Sequence, residues 1–177
     1  MGENLPERIR QIFADQAEPD ELFAVLLPTL GAVLPCDRCF LYLREPAKAW
    51  GLITHCWARD GRTAEWIGAD WIEDPTAPQD PLMAIALRIP AAVFVEDIET
   101  AGSDVVDRAY EREKFRHRAL VHAPIYQHEA LIGILECSVF ETPRIWSERD
   151  RQLIATLQTN LIAPVVAYIQ HDQRFQT

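Results

Sequence analysis

Four cysteines, at positions 36, 39, 56 and 137, are the side chains of this sequence best suited to reactive chemistry. Cys36-Asp37-Arg38-Cys39 has the spacing of a redox dithiol or of half a zinc site. Zinc, however, takes a second pair or histidines at comparable spacing, and none follows. A redox dithiol sits at a helix N-terminus, whereas Cys39 opens an apolar run with strand character. Reduced thiols acting as small apolar side chains are the plainer expectation. Cys39, Cys56 and Cys137 fall in three strand-like segments; if those strands are neighbours the thiols could converge, with His55 and His122 at hand for a metal or cluster. The sequence contains no Ser-His-Asp order, catalytic carboxylate pair, glycine-rich phosphate loop or HExxH helix. The expectation is therefore no catalytic residue, no metal centre and no enzyme.

The elements that must position these groups centre on 115–140, FRHRALVHAPIYQHEALIGILECSVF. Ala119–Ile125 and Ala130–Phe140 have the length and β-branched content of buried strands, and Tyr126–Glu129 is a hairpin loop between them. Pro124 belongs where the chain leaves a sheet, and Gly133 where another backbone or a ligand comes close. By the two-residue alternation of a strand, Ile132, Ile134, Glu136 and Ser138 share one face. A carboxylate on an apolar face needs a partner. For Glu136 that is a ligand cation, an internal Arg or His, or solvent.

Around the hairpin, Leu5, Ile9, Ile12 and Phe13 make a short amphipathic helix over 1–17, too short to stand alone in water. It must dock on the C-terminal helix of its own chain or on a second copy. A helix follows over 20–33, with Pro28 expected to kink it. Strands are predicted over 38–43, 52–58 and 92–95. The intervening 61–81 is irregular, proline-rich and holds Trp66 and Trp71, with Trp57 just before it. Asp80 is a candidate N-cap for a short helix over 81–87, and a charged helix is expected over 103–115. Ser147–Asp150 reads as a capping box opening a long helix to about 170, bent at Pro164. Its stripe, including Leu157, Leu161, Val165 and Ile169, is wider than one sheet face requires. Together with Ile9, Ile12 and Phe13 it predicts a helical-bundle homodimer.

The balance of 17 basic against 27 acidic residues argues against a nucleic-acid surface. Acidic residues 60, 65, 70, 73, 74, 80, 96, 97 and 99 face only Arg62 and Arg88 in the same stretch, a poor place to receive an anion. No run approaches a membrane span, and the N-terminus lacks a signal-peptide layout. The expected compartment is the cytoplasm. The length fits one α+β domain, a mostly antiparallel sheet of five or six strands, with the terminal helices on one face and loops plus short helices on the other.

Phe115, Arg118-Ala119, Pro124-Ile125 and Leu131-x-Gly133-x-Leu135 resemble the second half of a GAF domain, most closely the cyanobacterial kind. The likeness runs from Glu18 to Ile169 and includes Asp37-Arg38 before the first strand and Asp97-Ile98 after the 92–95 strand. It implies a GAF domain over 18–172, flanked by the 1–17 helix and a 173–177 tail. Bilin-attaching relatives carry a Cys-His pair where this sequence has Asp107-Arg108. Their second cysteine corresponds to 74–77, where none stands, and Asp37-Arg38-Cys39-Phe40 matches that motif only in letters. Covalent bilin attachment is not expected, and the cyclic-nucleotide motif is also missing. The resemblance turns the Ile132, Ile134, Glu136 and Ser138 face toward the ligand pocket, with Trp57, Trp66, Trp71 and His122 as further lining. No cofactor is assigned, a noncovalent tetrapyrrole or other small ligand being what the pocket would admit. The function implied is a stand-alone regulatory or sensor module acting through contact with an unidentified protein partner. The alternatives are an interaction protein whose pocket is collapsed on tryptophans and, less favoured, a cysteine-dependent GAF reductase.

Overall fold

The structure is a computed structural model and describes residues 5–61, 67–68, 70–72 and 80–176. Its helices are α1 (Glu7–Asp15), α2 (Pro19–Val33), α3 (Pro81–Ala86), α4 (Arg108–Tyr110), α5 (Glu148–Asn160), α6 (Ile162–His171) and α7 (Gln173–Gln176). Its strands are β1 (Arg38–Glu45), β2 (Trp50–Ala58), β3 (Asp70–Ile72), β4 (Val93–Val95), β5 (Ala119–Gln127) and β6 (Ala130–Val139). All pair antiparallel in the order β3-β2-β1-β6-β5-β4, so the β5–β6 hairpin supplies one of the two innermost strands. The hairpin turn is tighter than expected, because His128 takes a left-handed backbone and both strands extend toward it.

Two bulges decide which side chains face which way. β2 carries an extra residue at Thr54, between the pairs Leu41↔His55 and Tyr42↔Ile53. β6 carries one at Ile132, between Ile125↔Gly133 and Tyr126↔Leu131. A bulge resets the alternation beyond it. Simple parity placed Ile132 with Ile134, Glu136 and Ser138. The bulge instead turns Ile132 into the helix-covered core and leaves Leu131 beside Ile134 on the other face. Gly133 marks the close approach that its lack of a side chain suggests, since a Cβ there would lie 2.9 Å from the Tyr42 carbonyl oxygen.

One face of the sheet is covered by the terminal helices. α1 packs chiefly on α2 of its own chain, and Ile9, Ile12, Leu157, Leu161 and Val165 are all buried in that single core. The stripes expected to meet a second copy are therefore largely covered within one chain, with Phe13 and Ile169 half-buried at its margin. The 173–176 part of the tail is anchored too. Phe175 of α7 is buried against Trp50 at 5.3 Å between ring centroids, and Lys48 donates to its carbonyl at 3.0 Å. The Ser147 capping box forms as expected, with Asp150 N–H to Ser147 Oγ at 3.2 Å and Ser147 N–H to Asp150 Oδ2 at 3.0 Å. The long helix breaks between α5 and α6 with a 44° bend. Pro164 has no N–H for the Asn160 carbonyl and its ring crowds that position. No single helix among the described residues is long and apolar enough to cross a membrane.

The other face carries α3, α4 and the segments around them. Asp80 caps α3, accepting from Met83 N–H at 3.2 Å. Asp97 accepts two bonds from Arg118, both at 2.8 Å, tying the end of β4 to the start of β5. The helix expected over 103–115 is mostly replaced by turns. Burial of Val106 with Leu82, Val95, Ile98 and Leu120 holds 103–106 down on the sheet. Asp107 then caps only α4, accepting from Tyr110 N–H at 3.1 Å. A wide π-type turn over Glu111–Phe115 follows, closed by a left-handed Arg116. That turn points Glu111 inward.

Candidate functional site

Between the sheet and this second layer lies a cavity of about 50 Å³, lined by Phe40, Tyr42, Ile53, Leu82, Met83, Phe115 and Ile134 on its apolar sides. Its polar lining is Asp80, Tyr110, Glu111, His122 and Glu136. Phe40 and Tyr42 reach it because they alternate on β1, and Glu136 because it stands opposite both Phe40 and His122 in the sheet. Ile53 faces it only because the Thr54 bulge restores the match with Tyr42.

Behind the cavity the ionisable groups form a continuous chain. His122 Nδ1 lies 2.7 Å from Glu136 Oε2, and Glu136 Oε1 is 3.2 Å from His117 Nε2. His117 Nδ1 meets Glu111 Oε2, while Arg38 Nη2 stands 2.6 Å from His117 Nε2 and donates to the Phe115 carbonyl at 3.1 Å. Since an arginine can only donate, His117 Nε2 is the acceptor and its Nδ1–H donates to Glu111. The Arg38 guanidinium also lies over the rings of Phe40, Phe115 and Phe140 at 5.2–5.7 Å.

Burial pushes His117 down to about 3, so it is a neutral imidazole at neutral pH. Burial, reinforced by Glu136 and Asp80, pushes the Glu111 carboxyl up to about 9, so it keeps its proton there. Burial also pushes Glu136 up, but the hydrogen bond from His122 and the Arg38 guanidinium more than reverse it and hold its carboxyl below the ordinary range. With His117 neutral, compensation for Glu136 falls to Arg38 and to the hydrogen bond from His122. Burial opposes a charged His122, yet its bond to Glu136 outweighs that and raises it. Asp80 is raised by burial. Desolvation costs several kcal/mol per ion, so such a network persists only with its members closely paired.

Three polar atoms of this lining are buried with no hydrogen-bond partner among the described residues: His122 Nε2, Asp80 Oδ1 and Glu136 Oε1. Ser138 Oγ, farther along β6, is a fourth such atom. The arrangement can offer a donor from His122 and an acceptor from Asp80 to a small guest, against apolar walls.

Of the residues singled out by sequence, Ile134, Glu136 and His122 meet at the cavity, and Ser138 is buried on the same strand face. Ile132 does not meet them, for the reason given by its bulge. Trp57 is not a lining residue either; its ring packs on α2, where a Cβ on Gly31 would lie 1.9 Å from it. It stands opposite Cys39 and so faces the helices. Trp66 and the side chain of Trp71 lie outside the described residues. The cavity is filled toward closure by Leu82, Met83, Tyr110 and Phe115 instead. Glu136 takes an internal histidine, His122, as its hydrogen-bond partner, one of the routes its burial required. Arg38, Glu111, His117 and Asp80 were not foreseen as site residues. The available signal was Arg38 in phase with Phe40 and Tyr42 at the start of an apolar strand, a charge that needed an internal partner.

The cysteines divide between the two faces. Cys36, Cys39 and Cys137 converge in the helix-side core, whereas Cys56 faces the cavity side, near Phe40, with burial pushing its thiol up to about 11. The trio that meets therefore contains Cys36 in place of Cys56, because Cys56 alternates with Trp57 onto the opposite face.

Residues 18–163 match the GAF domain family. The chain belongs to that family. Solved structures agree in fold. The phycocyanobilin-bound GAF domain of a cyanobacterial phytochrome superposes with a TM-score of 0.72 at 20% identity, covering 94% of this chain and 98% of that one. The GAF domain of a phosphoenolpyruvate-protein phosphotransferase from Coxiella burnetii gives 0.70 at 15%, covering 91% and 90%. The free methionine-R-sulfoxide reductase of Neisseria meningitidis, in complex with its substrate, gives 0.64 at 13%, covering 93% and 88%. No curated protein matches the sequence of this GAF domain.

Proposed function

We propose that this GAF domain is a sensor module whose cavity takes a small noncovalent ligand and whose output passes through contact with another polypeptide. The observation that supports this reading is a pair of buried atoms without hydrogen-bond partners at the cavity, His122 Nε2 at one end of the ionisable network and Asp80 Oδ1 at the cap of α3. Buried orphan atoms of this kind cost about 1–3 kcal/mol each, which a guest offering an acceptor to His122 and a donor to Asp80 removes. The ligand class follows from the lining: a compact, amphipathic molecule with adjacent donor and acceptor groups and a short apolar part. A cavity of about 50 Å³ is far below what a tetrapyrrole requires, so the small-ligand branch is the one carried forward. Binding rather than turnover is proposed, since the partly exposed Cys56 is not among the residues lining the cavity and the other three thiols are buried.

The test is thermal unfolding against a library of small polar metabolites. A true ligand at a hundred times its Kd stabilises by about 2.7 kcal/mol. Asp80→Asn, which keeps a side chain able to cap α3, is expected to lose at least tenfold in affinity for that ligand. A library without any stabilising member favours the alternative supported by the cavity's small size, an interaction protein with a closed pocket. For the output we propose a homodimer through the half-buried margin of α1 and α6, Phe13, Ile162, Val166 and Ile169. Light scattering should then report twice the chain mass, and Ile169→Asp should return the monomer. A monomeric wild type at high concentration contradicts this arm.

A further inference from the structure

Cys36, Cys39 and Cys137 place their sulfur atoms within 4.8 Å of one another, all buried in the helix-side core. Two of the three positions are set by the sheet. Cys39 of β1 stands directly opposite Cys137 of β6, and directly opposed residues in an antiparallel ladder have neighbouring Cβ atoms. The third is set by the turn between α2 and β1, where Cys36 N–H donates to the Gly31 carbonyl at 3.0 Å and Cys36 Sγ to the Leu34 carbonyl at 3.3 Å. Arg144 clamps the same turn, donating to the carbonyls of Leu34 and Pro35 while pairing with Asp150 at 3.2 Å. The thiols are thus held by backbone geometry on rigid elements.

We propose that these three cysteines form a binding site for a trivalent, thiophilic metalloid ion of the arsenite class. Three thiolates with no fourth ligand beside them among the described residues are a poor fit to zinc, which takes four ligands in structural sites. Soft thiolate sets select soft ions. Charge decides among those ions. A monovalent ion on three thiolates leaves a double negative charge in an apolar core, where an uncompensated ion costs several kcal/mol. Arg144 favours a charged Cys36 but is shared with Asp150, so one guanidinium offsets that double charge only in part. A trivalent ion on three thiolates is neutral.

The binding step balances without an oxidant. As(OH)3 and three thiols give As(SR)3 and three waters: three As–O bonds break, three As–S bonds form, and each thiol proton leaves on a hydroxide. Arsenic stays trivalent throughout. Access runs through the Cys36 turn, where exposed Pro35 is the neighbouring residue and borders a surface groove with Asp37 and Arg59.

The experiment is titration of the reduced wild-type protein with sodium arsenite, followed by native mass spectrometry and arsenic-edge X-ray absorption. The expected result is one arsenic per chain bound to three sulfurs, with three of the four cysteines lost to a thiol reagent and Cys56 still reactive. Cys56→Ala should bind equally, and Cys137→Ser should lose the three-sulfur signature with at least a hundredfold weaker retention. The wild-type stoichiometry and the Cys56→Ala result stand even where Cys137→Ser fails to fold. Absence of retained arsenic in the wild type overturns the proposal. So does binding of copper(I) without arsenite, or arsenic coordination that includes Cys56.

Discussion

At the residue scale, Glu111 is the side chain whose ionisation this fold tolerates least. Its carboxyl is pushed up to about 9 by burial and by Glu136 and Asp80, against an ordinary value of 4.5. The folded state therefore holds a proton that the unfolded chain gives up. Its contribution is fully present below pH 4.5 and is lost as pH rises toward 9. At about 1.4 kcal/mol per unit over the span from 4.5 to 7, the loss at pH 7 is on the order of 3–4 kcal/mol. Glu111→Gln keeps an acceptor for His117 Nδ1–H and removes the ionisation. Urea denaturation should find it more stable than wild type by about that amount at pH 7, by more at pH 8, with the difference gone at pH 4.5. His117 has the opposite slope. Held down at about 3, it loses stability as pH falls from 6.5 toward that value, because the unfolded imidazole takes up a proton first.

At the element scale, the two bulges and the π-type turn do the positioning. Gly133→Ala would drive a Cβ to 2.9 Å from the Tyr42 carbonyl oxygen, a backbone atom that cannot rotate away. Overpacking of this kind costs about 1–3 kcal/mol. Equilibrium unfolding should show that loss, accompanied by disturbed amide signals on both β1 and β6. Such elements also mark where reading from sequence stops. The hairpin, the Ser147 capping box, the Asp80 cap and the bend before Pro164 were legible because each depends on residues within a few positions of one another. The Ile132 bulge was not, since alternation assumes an unbroken register and the flanking letters carry no turn signal. The 103–115 helix had suitable local residues, but burial of Val106 against β4 and β5 overrode them. Glu136 and His122 were legible as strand residues needing partners. Arg38 and His117 were not, because their contact spans 79 positions and exists only once β1 and the β5 lead-in are adjacent.

On the scale of the whole molecule, a GAF-family sheet separates two environments. Its helix side is apolar and holds three thiols; its other side holds a charged network around a small cavity. Maintaining that network is costly, whereas an apolar filling of the same space would be cheaper, and this contrast is what makes the cavity a candidate for binding. The most direct measurement is the long-range proton–nitrogen NMR spectrum of the histidine side chains, recorded as the most strongly stabilising small molecule of the thermal screen is added. The expected result is that the His122 Nε2 resonance moves in a saturable way while His117 keeps its neutral Nδ1–H form. An unmoved His122 resonance across every stabilising molecule would contradict it.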